Sequence, residues 1–173
     1  MNEKHFFASA NTYKGFINYF ESIGGKFTYI LKGTSGSGKS TLLKQIAKHF
    51  ADKGEAVEYF HCSFDPESLD GIRLVGRDIS IIDGTNPHPM ESKKDGNDEI
   101  VNLVEYIEIK TEDHLKIGKL EKKKKNYFKR AIKAHSQAFQ LHQKLEAIYA
   151  PYIDFDKVTR KTQDLIQDIE NIE

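Results

Sequence analysis

Eight residues, Gly33-Thr34-Ser35-Gly36-Ser37-Gly38-Lys39-Ser40, separate two segments of different periodicity and restrict this chain more than any other stretch. Before them, Phe27, Tyr29, Ile30 and Leu31 form a short β-branched and aromatic run, which predicts a buried parallel strand. After them, Leu42, Leu43, Ile46, Ala47 and Phe50 recur at three- and four-residue steps, which predicts a helix. A strand and a helix this close in sequence are joined by a tight loop, and glycines supply the positive φ and close backbone approach that such a loop needs. The loop fits the pattern G-x-x-x-x-G-K-[ST] at every fixed position. Its N–H groups are expected to curl around an anion, helped by the unpaired N–H groups and positive dipole end of the helix that opens near Lys39.

The chemistry expected here is phosphate binding by Gly33, Thr34, Ser35, Gly36, Ser37, Gly38, Lys39, Ser40 and Thr41. Lys39 is expected to reach the β- and γ-phosphates, and Ser40 to place its hydroxyl on a Mg²⁺ ion bridging them. A glycine-rich turn that merely precedes a helix is the plainer alternative, and both flanks argue against it. Further on, Ile79-Ser80-Ile81-Ile82-Asp83 is an apolar strand ending in an acid. Its carboxylate is expected beside the loop, where Asp83 joins Ser40 in the Mg²⁺ shell.

Composition narrows the class. Lys plus Arg and Asp plus Glu both number 26, so no global field favours nucleic acid or an anionic membrane. The 173 residues suffice for one domain with a core. No 18-residue apolar run occurs, the first residues MNEKHFFASANTYKG lack an apolar h-region, and Cys62 is the only cysteine, so a reducing, cytoplasmic setting is expected.

In chain order, Asn11 or Thr12 is expected to cap a helix carrying Tyr13, Phe16, Ile17 and Phe20. A second strand is expected over 56–61, closing a βαβ unit. Asp65 followed by Pro66 reads as an N-cap and first helical position, and Asp65 also reads as a catalytic acid that could converge with Asp70, His61 and Cys62 on the γ-phosphate or a second substrate; both readings stay open. Adjacent strand residues face opposite ways, so His61 and Cys62 make a poor base and nucleophile. Ile72 to Val75 suggests a brief edge strand, and Gly84 to Pro89 a rigid loop carrying His88. From Asn97, Asp98 is expected to cap a helix with Ile100, Val101, Leu103, Val104 and Ile107, followed by a long helix over about His114 to Tyr149. Pro151 breaks it, and a helical pattern resumes over Asp154 to Ile172, which suggests an antiparallel hairpin. The run Lys122 to Lys125 reads as a solvated face.

The segments HFFASANTYKGF, ILKGTSGSGKSTL, VEYFHCSFDPESLDGI, IIDGTNPH and EIVNL together resemble a family of poorly characterised bacterial P-loop ATPases. Members typically carry two tandem copies of such a unit, and this chain resembles the N-terminal copy. The resemblance implies ATP binding by Gly33 to Thr41, with Asp83 as the Mg²⁺-shell acid. The expected fold is α/β: a P-loop NTPase with a short parallel sheet flanked by helices, a nucleotide-binding core over 1–96 and a helical extension over 97–173 in one structural domain. A second copy, in cis or as a homodimer, is the expected partner, because three strands leave a sheet edge exposed.

Three functions follow: a Mg²⁺-dependent ATPase working through Lys39, Asp83 and Asp65; a phosphotransferase whose acceptor is held by Asp65, Asp70 and His88; and a nucleotide-sensing module with little turnover. No glutamate follows Asp83 directly, which favours slow hydrolysis, and Arg73 and Arg77 are arginine-finger candidates.

Overall fold

The computed structural model describes residues 3–87, 89–92 and 96–172, so His88 lies outside the described residues. The strands are β1 (Glu3–Phe7), β2 (Ser9–Thr12), β3 (Gly15–Asn18), β4 (Phe27–Lys32), β5 (Val57–His61), β6 (Leu69–Leu74), β7 (Ile79–Asp83) and β8 (Asp98–Asn102). The helices are α1 (Lys39–Ala51), α2 (His114–Tyr149) and α3 (Phe155–Glu170). The chain is thus mixed α/β, with a mixed sheet and long helices.

Among the described residues, six strands form one sheet in the order β1-β5-β6-β7-β4-β8, and β2 pairs with β3 in a separate hairpin. The sheet departs from the short parallel one expected. β6 is antiparallel to both β5 and β7 and lies inside the sheet, where sequence suggested an edge strand. The remaining pairings, β1 on β5, β7 on β4 and β8 on β4, are parallel.

Strand alternation divides the core into two layers. Leu31 and Ile81 join Leu43 and Ala47 of α1, together with Val57, Leu69, Ile72 and Leu74, on one face. Ile82 packs with Ala8, Phe20 and Phe60 on the other. Apolar side chains on both faces explain why β7 reads as a near-continuous Ile run.

Three helical expectations are overturned. Residues 5–24 form strands and a short 3₁₀ turn at Phe20–Ser22. Thr12 caps a hairpin turn instead: its Oγ1 accepts from Lys14 N–H at 3.1 Å and donates to the Gly15 carbonyl at 2.8 Å. Asp98 opens β8, whose pairing with β4 continues the sheet past residue 97, and a 3₁₀ turn over Leu103–Tyr106 follows. No helix starts at Pro66; Asp65 accepts from Glu67 N–H at 3.2 Å and from Ser68 Oγ at 2.8 Å, closing a turn.

The long helix has the expected bounds, and at about 1.5 Å per residue it runs roughly 54 Å. It lies across the loop end of the sheet. Phe128 meets Phe64 at 5.1 Å between centroids, and Phe139 stacks on Tyr13 of the β2–β3 turn at 3.8 Å and 4°. α3 follows the break at Pro151 but does not close a packed hairpin. Phe155, Val158, Leu165 and Ile169 of α3, and Leu141, Leu145 and Ile148 of α2, all remain exposed.

Candidate functional site

The site is built where β4, α1 and β7 meet. β4 ends at Lys32, the loop occupies 33–38, and Gly38 caps α1 in the left-handed region at φ 87°. Gly36 has φ 83°, and a Cβ at either glycine would meet nothing within 4 Å, so the requirement for glycine here is conformational. In-register pairing sets Asp83 opposite Leu31, two residues before Gly33.

Lys39 reaches back over the loop. Its Nζ donates to the carbonyls of Gly33 at 2.8 Å and Thr34 at 2.9 Å and lies 3.6 Å from Asp83 Oδ2. Asp83 accepts Thr85 N–H on Oδ1 at 2.9 Å, while Thr85 Oγ1 accepts Gly33 N–H at 3.3 Å, so the acid and the loop entrance share one residue. Ser40 Oγ accepts Leu69 N–H at 2.9 Å, tying the first turn of α1 to the start of β6. That leaves the Ser40 proton and a lone pair for another partner.

Around these groups lies a cleft of about 450 Å³ that includes Ser35 to Thr41, Phe64, Asp65, Asp70 and Asp83. Lys39 and the hard oxygens of Ser40 and Asp83, set among the glycine-loop residues that line the cleft, form a group that can accept a polyanion and a small hard cation. Among the described residues, no group of three or more His, Cys, Asp or Glu side chains is placed to hold a metal ion by itself. A Mg²⁺ ion on Ser40 and Asp83 would complete its shell with water and phosphate oxygens.

The structure separates the sequence candidates. Asp70 is buried at 6% exposure on β6 and lines the cleft, whereas Asp65 lines it exposed, its carboxylate engaged in its own turn. Burial pushes the Cys62 thiol up, and the Asp70 charge pushes it the same way, so the thiol stays protonated. Arg73 pairs with Asp78 at 2.8 Å and Arg77 with Glu55 at 2.7 Å. Leu69, at the cleft, begins β6, so Arg73 is roughly 13 Å further along at about 3.3 Å per residue, and both arginines lie toward the far end of the sheet.

Lys32, which no motif marks, also shapes the site. Its Nζ bonds the carbonyls of Gly84 at 3.0 Å and Met90, and pairs with Glu91 at 3.3 Å, pinning the segment that leaves Asp83. The available signal was a lysine closing an otherwise apolar strand.

The described residues contain no helix long and apolar enough to cross a membrane. Comparison with known families gives a match to the nephrocystin 3 N-terminal family over residues 13–80, less than half of the chain. The matched span runs from the β2–β3 turn through the glycine loop into β7, and the family differs from the two-copy bacterial ATPases that the sequence resembles. No curated protein and no solved structure matches the chain.

Proposed function

We propose that this chain is a P-loop NTPase that binds ATP with Mg²⁺ on Gly33 to Thr41 and hydrolyses it. The observation that carries this reading is the pairing of Lys39 with Asp83 at the glycine loop, in a cleft that Ser40 also lines. The triphosphate oxygens replace the Gly33 and Thr34 carbonyls as partners of Lys39, and the loop N–H groups take the remaining charge. Mg²⁺, when bound, would supply further neutralisation of the phosphate charge. Asp83 and Ser40 orient that ion, and Asp70, more buried than Asp65, is the better acid to position a water or an acceptor hydroxyl.

One observation favours a second reading, a nucleotide-sensing module with slow turnover. Among the described residues the cleft holds Asp65, Asp70 and Asp83 but no glutamate, and Arg73 and Arg77 are committed elsewhere. Single-turnover hydrolysis of labelled ATP by wild type, Lys39→Ala and Asp70→Asn separates the readings. The ATPase shows turnover that both substitutions abolish, and the sensor binds without turnover.

The partner we propose is a second copy of the unit, in cis or as a homodimer. Phe155, Val158, Thr162, Leu165, Ile169 and Ile172 follow alternating steps of three and four, the spacing of a coiled-coil seam, and all are exposed. The setting proposed remains the cytoplasm, on the single half-buried thiol of Cys62.

A further inference from the structure

The phosphate-binding reading leaves a second cleft unexplained. On the side of the loop facing α2 lies a space of about 560 Å³, lined by Thr34, Ser35 and Gly36 together with Ile107, Ile109, Ile117 and Leu120, with Glu121 and Lys124 also on its wall. Ser35 and Gly36 also line the cleft that holds Lys39 and Asp83, so the tip of the glycine loop separates a cleft carrying charged side chains from a more apolar one. At Gly36 the partition carries no side chain, and a Cβ there would stand in open space. Leu120 is 58% exposed and Ile109 41%, so the protein's own elements leave this apolar wall uncovered beside a polar site.

We propose that this cleft receives the base and ribose of the nucleotide whose phosphates lie on the loop. This inference rests on the triphosphate reading above and adds to it the role of α2 as one wall of the nucleotide site. A purine is flat and apolar on its faces and polar at its edge. Ile107, Ile109, Ile117 and Leu120 supply the apolar surface, the Glu121 carboxylate can accept an exocyclic N–H, and Lys124 can donate to a ring nitrogen or a ribose hydroxyl. Continuity through Ser35 and Gly36 argues for one ligand with a polyanionic end and an apolar end, rather than two separate ligands. The Phe128–Phe64 and Phe139–Tyr13 contacts rest α2 on the segment after β5 and on the β2–β3 turn, which holds Ile117 to Lys124 beside the loop.

The test measures equilibrium affinity for Mg·ATP and for Mg·tripolyphosphate, which shares the phosphates and lacks the nucleoside, in wild type, Lys39→Ala and Ile109→Asn/Leu120→Gln. Both residues of the double variant are solvent-exposed, and circular dichroism checks that it folds. Wild type is expected to bind ATP at least tenfold more tightly than tripolyphosphate. The double variant is expected to lose at least tenfold for ATP with tripolyphosphate changed by less than twofold, while Lys39→Ala weakens both. Photolabelling with 8-azido-ATP is expected to mark the 107–124 segment. Equal wild-type affinity for the two probes, an unchanged ATP affinity in the double variant, or labelling confined to other segments overturns the proposal while leaving the triphosphate reading standing. If neither probe binds wild type, both fail.

Discussion

Lys39 and Asp83 stand 3.6 Å apart with their side chains 10% and 12% exposed, and they bring the first turn of α1 and the last residue of β7 to one point. Removing one member of so shielded a pair leaves a charge with too little water to replace its partner. Lys39→Ala is therefore expected to destabilise the ligand-free protein by about 2 kcal/mol, and Lys39→Ala/Asp83→Asn to recover most of that loss. Urea denaturation of the four members of the cycle measures it; additive losses would show that the two side chains do not interact.

Gly25 offers a test of the fold alone. A Cβ at this position would lie 2.2 Å from the Asp78 carbonyl oxygen and 2.6 Å from its carbon, both backbone atoms that cannot swing aside. Gly25→Ala is expected to cost about 2–3 kcal/mol, in the range of other overpacked sites. Thermal unfolding reads this, and an unchanged midpoint would refute the close approach.

Asp78 gives a pH dependence with a definite sign. The hydrogen bond from Arg73, and then that from Lys26 N–H, hold its carboxyl below the ordinary carboxylate range. A carboxylate whose folded pKa is lowered contributes stability above its unfolded value, about 3.9, and that contribution is lost as pH falls through the lower folded value. Asn at 78 keeps the left-handed backbone, φ 54°, without the charge. Asp78→Asn is expected to be less stable than wild type at pH 7 and to lose less on acidification below about pH 4. Parallel curves in urea titrations from pH 7 to pH 2 would argue against it.

The glycine loop and α1 were legible because motif and periodicity agreed, and α2 because an apolar helical pattern persisted between recognisable stops. The N-terminal strands were not. Tyr13, Phe16, Ile17 and Phe20 are spaced like a helix face, yet Tyr13 and Lys14 form a turn, Gly15 takes φ 108°, and Phe16 and Ile17 belong to β3. Apolar positions at these spacings fit a hairpin as well as one helical turn. The same ambiguity concealed β8, where Ile100 and Val101 pair beside Ile30 and Leu31. β6 was hidden differently: Asp70 and Gly71 look like loop residues, and only a strand flanked by β5 and β7 buries them. Asp70 therefore lines the cleft from inside the sheet, while Asp65 lines it from an exposed turn.

The stacking of Tyr13 on Phe139 fixes the middle of α2. Phe139→Ala removes an aromatic pair and part of its buried area, and is expected to cost about 1–2 kcal/mol locally. Hydrogen exchange should speed up in β2, β3 and α2 while α1 and the six-stranded sheet hold their protection. Uniform acceleration, or none, would show that this contact does not anchor the helix.

Self-association through α3 predicts a dimer. Leu165→Asp/Ile169→Asp places charges on the exposed apolar stripe and should convert it to monomer with the sheet intact. Light scattering across a concentration series reads the mass, and a wild-type monomer at every concentration contradicts the proposed homodimer.

The central claim, that the Gly33–Ser40 loop holds a nucleoside triphosphate through Lys39, is tested most directly by calorimetric titration of Mg·ATP into wild type and Lys39→Ala. Saturable binding of one ATP per chain is expected, weakened when EDTA removes Mg²⁺ and reduced at least thirtyfold by Lys39→Ala. Absence of binding to wild type, or equal affinity in the two proteins, would contradict it.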